Sequence, residues 1–312
     1  MKRLIAQFIL MTAIVAAYTT SATAQNKTKP IDQSAKKDLS LYPKPKAGET
    51  QYMTILPTVK NPEDYLVEIL PARYDSVDTC NKFLLFGKMI QASVKGYDYY
   101  TYKGDGVITG TLMLCPENKL VRKCITGEGI MTPYTAKTPI VAYGNKKVNI
   151  QYMIWKGSKK IMADNEKSKP LSPSIKEMIE YTPKEIKGYE KFIIYIPNDK
   201  QSQDLSGKKV QIIPSKSAQV DYCNIHSLLG ELKEKTVEGY SYPYYIFESD
   251  GGIVSTRMGC KDNKTKEELV TNKGEIIDIP IDSPIVVFVP QEIKVQYRIW
   301  QAGKLHSMQK VK

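Results

Sequence analysis

Histidine is nearly missing from this chain, with two residues, His226 and His306, among 312. Neither stands near a nucleophile elbow, a zinc-type pair or a phosphate-binding loop. The adjacent carboxylates Glu63-Asp64 and Glu267-Glu268 sit in polar segments and read as solvated surface. Catalysis therefore has little to stand on, and neither a metal nor a cofactor is expected. No stretch after Ala17 is apolar for long enough to cross a bilayer as a helix of ~20 residues. Amphipathic helices of ten or more residues are absent, apart from a short candidate over Leu228–Lys235. Positive charge is plentiful, with Lys+Arg 45 against Asp+Glu 33, but it forms no long block. That favours a soluble basic surface over a nucleic-acid site.

What is present begins with an address. Lys2 and Arg3 precede an apolar run, Leu4–Ala17, and Ala22-Thr23-Ala24 offers a small-x-small cleavage site before Gln25. Residues 1–24 are expected to be a secretory signal peptide. No cysteine follows the run to carry a lipid anchor. Losing Lys2 and Arg3 takes the formal net charge from +12 to +10. Residues 25–40 read as a flexible polar leader. Five cysteines remain, Cys80, Cys115, Cys124, Cys223 and Cys260. An exported chain meets oxidising conditions, so disulfides are expected, with one thiol left over.

The rest of the chain is written twice. Pro139–Trp155 aligns with Pro284–Trp300, with Pro, Ile, Val, Gln, Tyr, Ile and Trp in register. Val67–Pro71 answers Val210–Pro214, Cys80-Asn81 answers Cys223-Asn224, and Thr111–Cys115 answers Thr256–Cys260. A period of about 145 residues is too long for a solenoid unit and means two copies of a whole domain. We place them at 41–156 and 181–312. Residues 157–180, rich in Lys, Ser and Pro, read as a linker with a short helical turn over Ser174–Glu180. Inside each copy the pattern has period two, as in Val148–Trp155 and Ile293–Trp300. The expected fold is all-β, two tandem antiparallel β-barrel or sandwich domains.

One stretch organises the second copy. Gly251-Gly252 turns the chain after the aromatic run Tyr240–Phe247, and a short extended segment then offers a single long charged side chain, Arg257, before Cys260. A loop tied down at Cys260 and presenting one Arg is what a trypsin-like protease accepts as a peptide.

Taken together, Val220–His226, Val237–Phe247, Val254–Cys260, Ser283–Val287 and Val295–Trp300 resemble the ecotin family, bacterial periplasmic inhibitors of serine proteases. The first copy matches through Val77–Asn81, Asp98–Tyr100, Gly110–Cys115, Pro139–Val141 and Trp155. The resemblance implies one disulfide per domain, Cys80 with Cys115 and Cys223 with Cys260. Each would contribute ~3–4 kcal/mol by loop-closure entropy. It places the scissile bond at Leu112–Met113 in the first copy and Arg257–Met258 in the second. Gly110, Thr111 and Leu114 flank the first bond; Val254, Ser255, Thr256 and Gly259 flank the other. Asn81 and Asn224 would brace the loops. A secondary surface would include Tyr97, Lys137, Tyr240 and Tyr242. Asp278 and Asp282 stand where the family tends to carry basic and polar residues. The implied partners are trypsin-fold serine proteases, with no nucleic acid and no membrane insertion. Arg257 suits trypsin-like pockets and Leu112 chymotrypsin- or elastase-like ones. The family dimerises by exchanging C-terminal strands, so this chain is expected to be a single-chain pseudodimer or a homodimer. A non-inhibitory envelope protein that binds glycan or protein through the same barrels is the alternative. Cys124 has no counterpart and reads as a buried free thiol.

Overall fold

Alternating apolar residues make strands, and strands dominate the computed structural model, which describes residues 39–311 except 117–118, 166–170, 198–204, 206, 238, 240–241, 263 and 282. The signal peptide, nearly all of the leader, Tyr240 and Asp282 thus lie outside the described residues. The first copy contributes β1 (Glu49–Thr54), β2 (Tyr65–Asp78), β3 (Phe83–Leu85), β4 (Lys88–Val94) and β5 (Tyr97–Lys103). It continues with β6 (Ile108–Gly110), β7 (Leu120–Thr126), β8 (Ile130–Pro133), β9 (Ile140–Asn145) and β10 (Asn149–Gly157). Then come β11 (Ile161–Met162), β12 (Asp164–Asn165) and a short helix, α1 (Pro173–Met178). The second copy repeats the series as β13 (Tyr189–Ile194), β14 (Lys208–Asp221), β15 (His226–Leu228), β16 (Glu231–Thr236) and β17 (Pro243–Glu248). It closes with β18 (Ile253–Ser255), β19 (Thr265–Thr271), β20 (Glu275–Asp278), β21 (Ile285–Pro290), β22 (Ile293–Ser307) and β23 (Gln309–Lys310).

The copies fold alike, in their longest shared strand down to the residue. Strands β2 and β14 have different sequences but the same succession of buried and exposed positions. Each copy is a two-layer sandwich. Its own five-stranded sheet packs on one half of a nine-stranded sheet that both copies share. The five-stranded orders are β23-β1-β9-β5-β4 and β12-β13-β21-β17-β16; the shared sheet runs β19-β14-β22-β10-β2-β7, with β8, β11 and β20 as side branches. No sheet closes on itself among the described residues, so the fold is the sandwich form of the expectation. It is not wholly antiparallel, because β5 pairs parallel to β9 and β17 parallel to β21. Those partners are far apart in sequence, which leaves room for the long crossover that parallel strands require.

The seam between the copies is β10 against β22, paired antiparallel with Trp155 opposite Ala302 and Gly157 opposite Trp300. Each copy then sends its tail into the other. β11 adds to β22 and β12 to β13, while β23 adds to β1. Ala163 lies in the second copy's core and Met308 in the first copy's core. The stretch read as a linker therefore carries two short strands. Met308 is 5% exposed, and Met308→Ala is expected to cost about 2–4 kcal/mol, as cavity-forming truncations do. An unchanged midpoint in urea denaturation would contradict this packing role.

The helical turn expected at Ser174–Glu180 corresponds to α1, capped by the Ser172 hydroxyl, which accepts from the Ile175 amide. The candidate helix Leu228–Lys235 is instead the end of β15, a turn at Gly230 and most of β16. Glu-Leu-Lys-Glu-Lys favours a helix locally, but β16 pairs with β17 at the sheet edge, where charged side chains suit solvent. Gly230 has φ +142 and a Cβ there would strike the Phe247 ring, so the turn requires glycine.

Candidate functional site

Each long strand, β2 and β14, ends in an aspartate that folds the following residues into a tight turn. The Asp78 carboxylate accepts from the Cys80 and Asn81 amides at 3.1 and 2.7 Å. Asp221 accepts from the Cys223 and Asn224 amides at 3.0 and 2.8 Å. Such a side-chain turn is characteristic of Asp. It places one cysteine and one asparagine beside the end of the two-stranded antiparallel sheet β3–β6 or β15–β18. Cys80 bonds Cys115 and Cys223 bonds Cys260, with Cα atoms 5.9 and 5.8 Å apart.

Beyond β6 and β18 the chain leaves the sheet and runs to the second cysteine without regular structure. The asparagine holds it there. The Asn81 carbonyl accepts from the Thr111 hydroxyl at 2.8 Å and the Met113 amide at 2.7 Å, and its amide donates to the Met113 carbonyl at 3.1 Å. Asn224 repeats this with the Thr256 hydroxyl at 2.8 Å, the Met258 amide at 2.8 Å and the Met258 carbonyl at 3.2 Å. Each threonine is tied back a second time, its hydroxyl accepting from the amide of Lys82 or Ile225 at 3.1 Å. The residues on both sides of Leu112 and Arg257 are thus fixed, and these two side chains are left pointing at solvent. Leu112 is 100% exposed. Arg257 is exposed and has no acidic partner among the described residues. Met113, Leu114 and Met258 are also exposed. So are Val254, Ser255, Thr256 and Gly259. Gly110 is required as glycine, since a Cβ would meet the Phe83 ring.

Sequence reasoning quoted Asp78 and Asp221 but gave them no role. The signal was there: an Asp two residues before a cysteine, in both copies. Hydrogen bonds from the Asn81 amide, the Asn81 side chain and the Cys80 amide lower the Asp78 pKa against partial burial. At Asp221 burial opposes ionisation, but bonds from Asn224, Cys223 and His226 outweigh it and lower the pKa. A depressed folded pKa means that the stabilisation is fully present above the unfolded value, ~3.9, and is lost as pH falls through the folded one. The Asn81 side-chain amide resonance, with Phe83 rather than a histidine beside its turn, is expected to stay fixed from neutral pH down to about 4 and to move only below that value. Movement near neutrality would count against Asp78 as the holder of the turn.

His226 touches Asp221 at 3.3 Å, but its buried Nδ1 has no hydrogen-bond partner among the described residues. Among the described residues no nucleophile is paired with it, as a catalytic triad requires. Phe83 occupies the matching place in the first copy. Cys124, half-buried on β7, lies 3.4 Å from the Gln151 side-chain oxygen and is unpaired.

The secondary-surface residues border a second feature. Tyr97 meets Tyr42 edge-on at 6.0 Å beside a cavity of ≈280 Å³, and Lys137 is exposed nearby. In the second copy Tyr242 stacks on Tyr181 at 5.9 Å, and the matching cavity is ≈90 Å³, bordered by Met178 at the end of α1. Asp278 pairs with Lys209 at 2.6 Å.

A comparison with protein families divides the chain in the same way. The profile of the ecotin family fits residues 38–157 and 178–302. The ecotin of Pseudomonas fluorescens Pf-5 is 39% identical over 123 residues, 39% of this chain and 75% of that protein. The ecotin of Pseudomonas putida W619 is 37% identical over 144 residues, covering 46% and 86%. The ecotin of Serratia proteamaculans 568 is 32% identical over 145 residues, covering 46% and 83%.

Proposed function

The chain belongs to the ecotin family of serine protease inhibitors, which are not enzymes, and from that premise we propose that it carries two substrate-like reactive loops, one in each copy. The scissile bonds are Leu112–Met113 and Arg257–Met258. The observation that carries this reading is the repeated asparagine brace, which fixes both neighbours of one residue and leaves that residue's side chain free.

A flexible peptide loses conformational entropy when a protease binds it and departs once cut. A loop already held extended loses little, so its contacts appear as affinity. The free side chain enters the S1 pocket as a buried anchor. Arg257 complements an acidic pocket floor through a charge-assisted contact, and Leu112 fills an apolar one. If the bond is cut, the disulfide and Asn224 keep the new amine beside the acyl group, so religation competes with hydrolysis.

The reciprocal tails support a single-chain pseudodimer, with the strand exchange satisfied internally. Light scattering is expected to give the mass of one chain; a stable dimer of full chains would contradict it. Export to the periplasm by the N-terminal segment fits this role, and no helix among the described residues is long and apolar enough to cross a membrane.

The deciding experiment is stoichiometric titration of mature protein against trypsin and, separately, a neutrophil-type elastase. Sharp endpoints with both enzymes are expected. No inhibition of either at micromolar inhibitor would return the non-inhibitory envelope protein to the front.

A further inference from the structure

A cavity of ≈370 Å³ lies on the seam between the copies, within the range of small-molecule sites. The first copy supplies Tyr65 on β2 and Tyr134 after β8, whose rings meet at 5.6 Å to form an aromatic shelf. The second supplies Trp300 and Arg298 on β22 and Lys273 in the turn before β20, and Lys160 enters from between β10 and β11. Glu63 is the one acidic lining residue.

Arg298 is 6% exposed and lies over the Trp300 ring at 4.6 Å. A Cβ on Gly157 would collide with its guanidinium, so a larger residue there would have to displace it. Nη2 donates to Asp64 at 2.9 Å and to the Ser158 carbonyl at 2.7 Å; Nε donates to the same carbonyl at 3.0 Å, and Nη1 to the Glu63 carbonyl at 3.2 Å. One Nη1 hydrogen is left over. Asp64 balances this one cation. Lys160 and Lys273 have no acidic partner among the described residues. Desolvation of its ammonium and then the Arg298 charge lower the Lys160 pKa, although the residue as a whole is exposed.

The fold itself does not demand this charge. Exchanging the copies generates an opposite seam, where the registers put Met153 in place of Arg298, Glu128 in place of Lys273 and Glu68 in place of Gln211. The repeat puts Leu305 in place of Lys160. The same exchange puts Lys209, paired with Asp278, in place of Leu66 and Lys208 in place of Tyr65, so the mirror seam mixes both signs where this one is mainly cationic.

We propose that the cationic seam cavity binds a carboxylated sugar, a uronic- or sialic-acid unit. Its carboxylate meets Lys160, Lys273 and the spare Arg298 hydrogen, and its apolar ring face rests on the Tyr65–Tyr134 shelf. The basic surface around it raises the local concentration of acidic glycan. This site is separate from both reactive loops and does not rest on their assignment.

Calorimetric titration of the full mature chain with glucuronate and N-acetylneuraminate, read in parallel by tryptophan emission, to which Trp155 and Trp300 both contribute, tests it. Saturable binding in the ~millimolar range is expected, with none for glucose and at least about tenfold weaker binding of inorganic phosphate. The double variant Lys160→Ala, Lys273→Ala is expected to weaken sugar binding at least about tenfold, with its thermal midpoint and its trypsin titration unchanged. No saturable heat with either acid would overturn the proposal. So would equal binding of phosphate, which would mark a bare anion site, or an unaffected double variant, which would place the binding elsewhere.

Discussion

Replacing Arg257 with alanine is expected to weaken trypsin inhibition by roughly a thousandfold while leaving elastase inhibition within about twofold of the parent. The side chain is exposed and has no acidic partner among the described residues, so its removal costs the free protein almost nothing. The whole effect then falls on the complex. There a desolvated guanidinium pairs with a carboxylate, an anchor whose truncation costs about 2–5 kcal/mol or more. Leu112→Ala is the mirror experiment: elastase inhibition should fall and trypsin inhibition should not. Equal losses against both enzymes from either change would show that the two loops are not separate heads.

The doubled organisation was legible because the repeat preserves what each proposed site needs chemically: an Asp and Asn around the first cysteine, a Thr before the proposed specificity position, a Trp at the seam. The two disulfides followed from the family pattern and are present. What stayed hidden has physical reasons. β16 carries Glu, Lys and Leu, good helix formers, and only its pairing with β17 decides its state. Period two in β10 and β22 says that each is a strand but not which edge it joins, because alternation fixes faces and not neighbours. The joining of both copies into one nine-stranded sheet was therefore available only as an expectation of strand exchange. β12 and β23 are two residues long, too short for any periodic signal. Asp78 and Asp221 were visible as letters, but their work is done by side-chain hydrogen bonds to backbone, which composition does not display.

Asn224→Ala is expected to weaken trypsin inhibition by about a hundredfold, and to do so in a way that Arg257→Ala does not. The side chain makes three bonds to the loop, to the Thr256 hydroxyl and to both the amide and the carbonyl of Met258. At about 0.5–1.5 kcal/mol each, their loss amounts to about 1.5–4.5 kcal/mol, a range that contains the hundredfold effect, much of it as freedom regained by the loop. The anchor Arg257 remains, so trypsin still recognises the loop, now as a better substrate. Once the bond is cut, the amine of Met258 is no longer held in place and religation loses to hydrolysis. Inhibition should therefore decay with time, with a new N-terminus at Met258 accumulating on the gel. Because Cys223–Cys260 stays intact, the fragments should separate only on reduction. Asn81→Ala should produce the same behaviour at Leu112–Met113 against elastase and leave trypsin untouched, since Asn81 holds only the first loop. A variant at Asn224 that stays tight and uncut over hours would mean that the disulfide alone holds the loop, and the brace would lose its part in the mechanism.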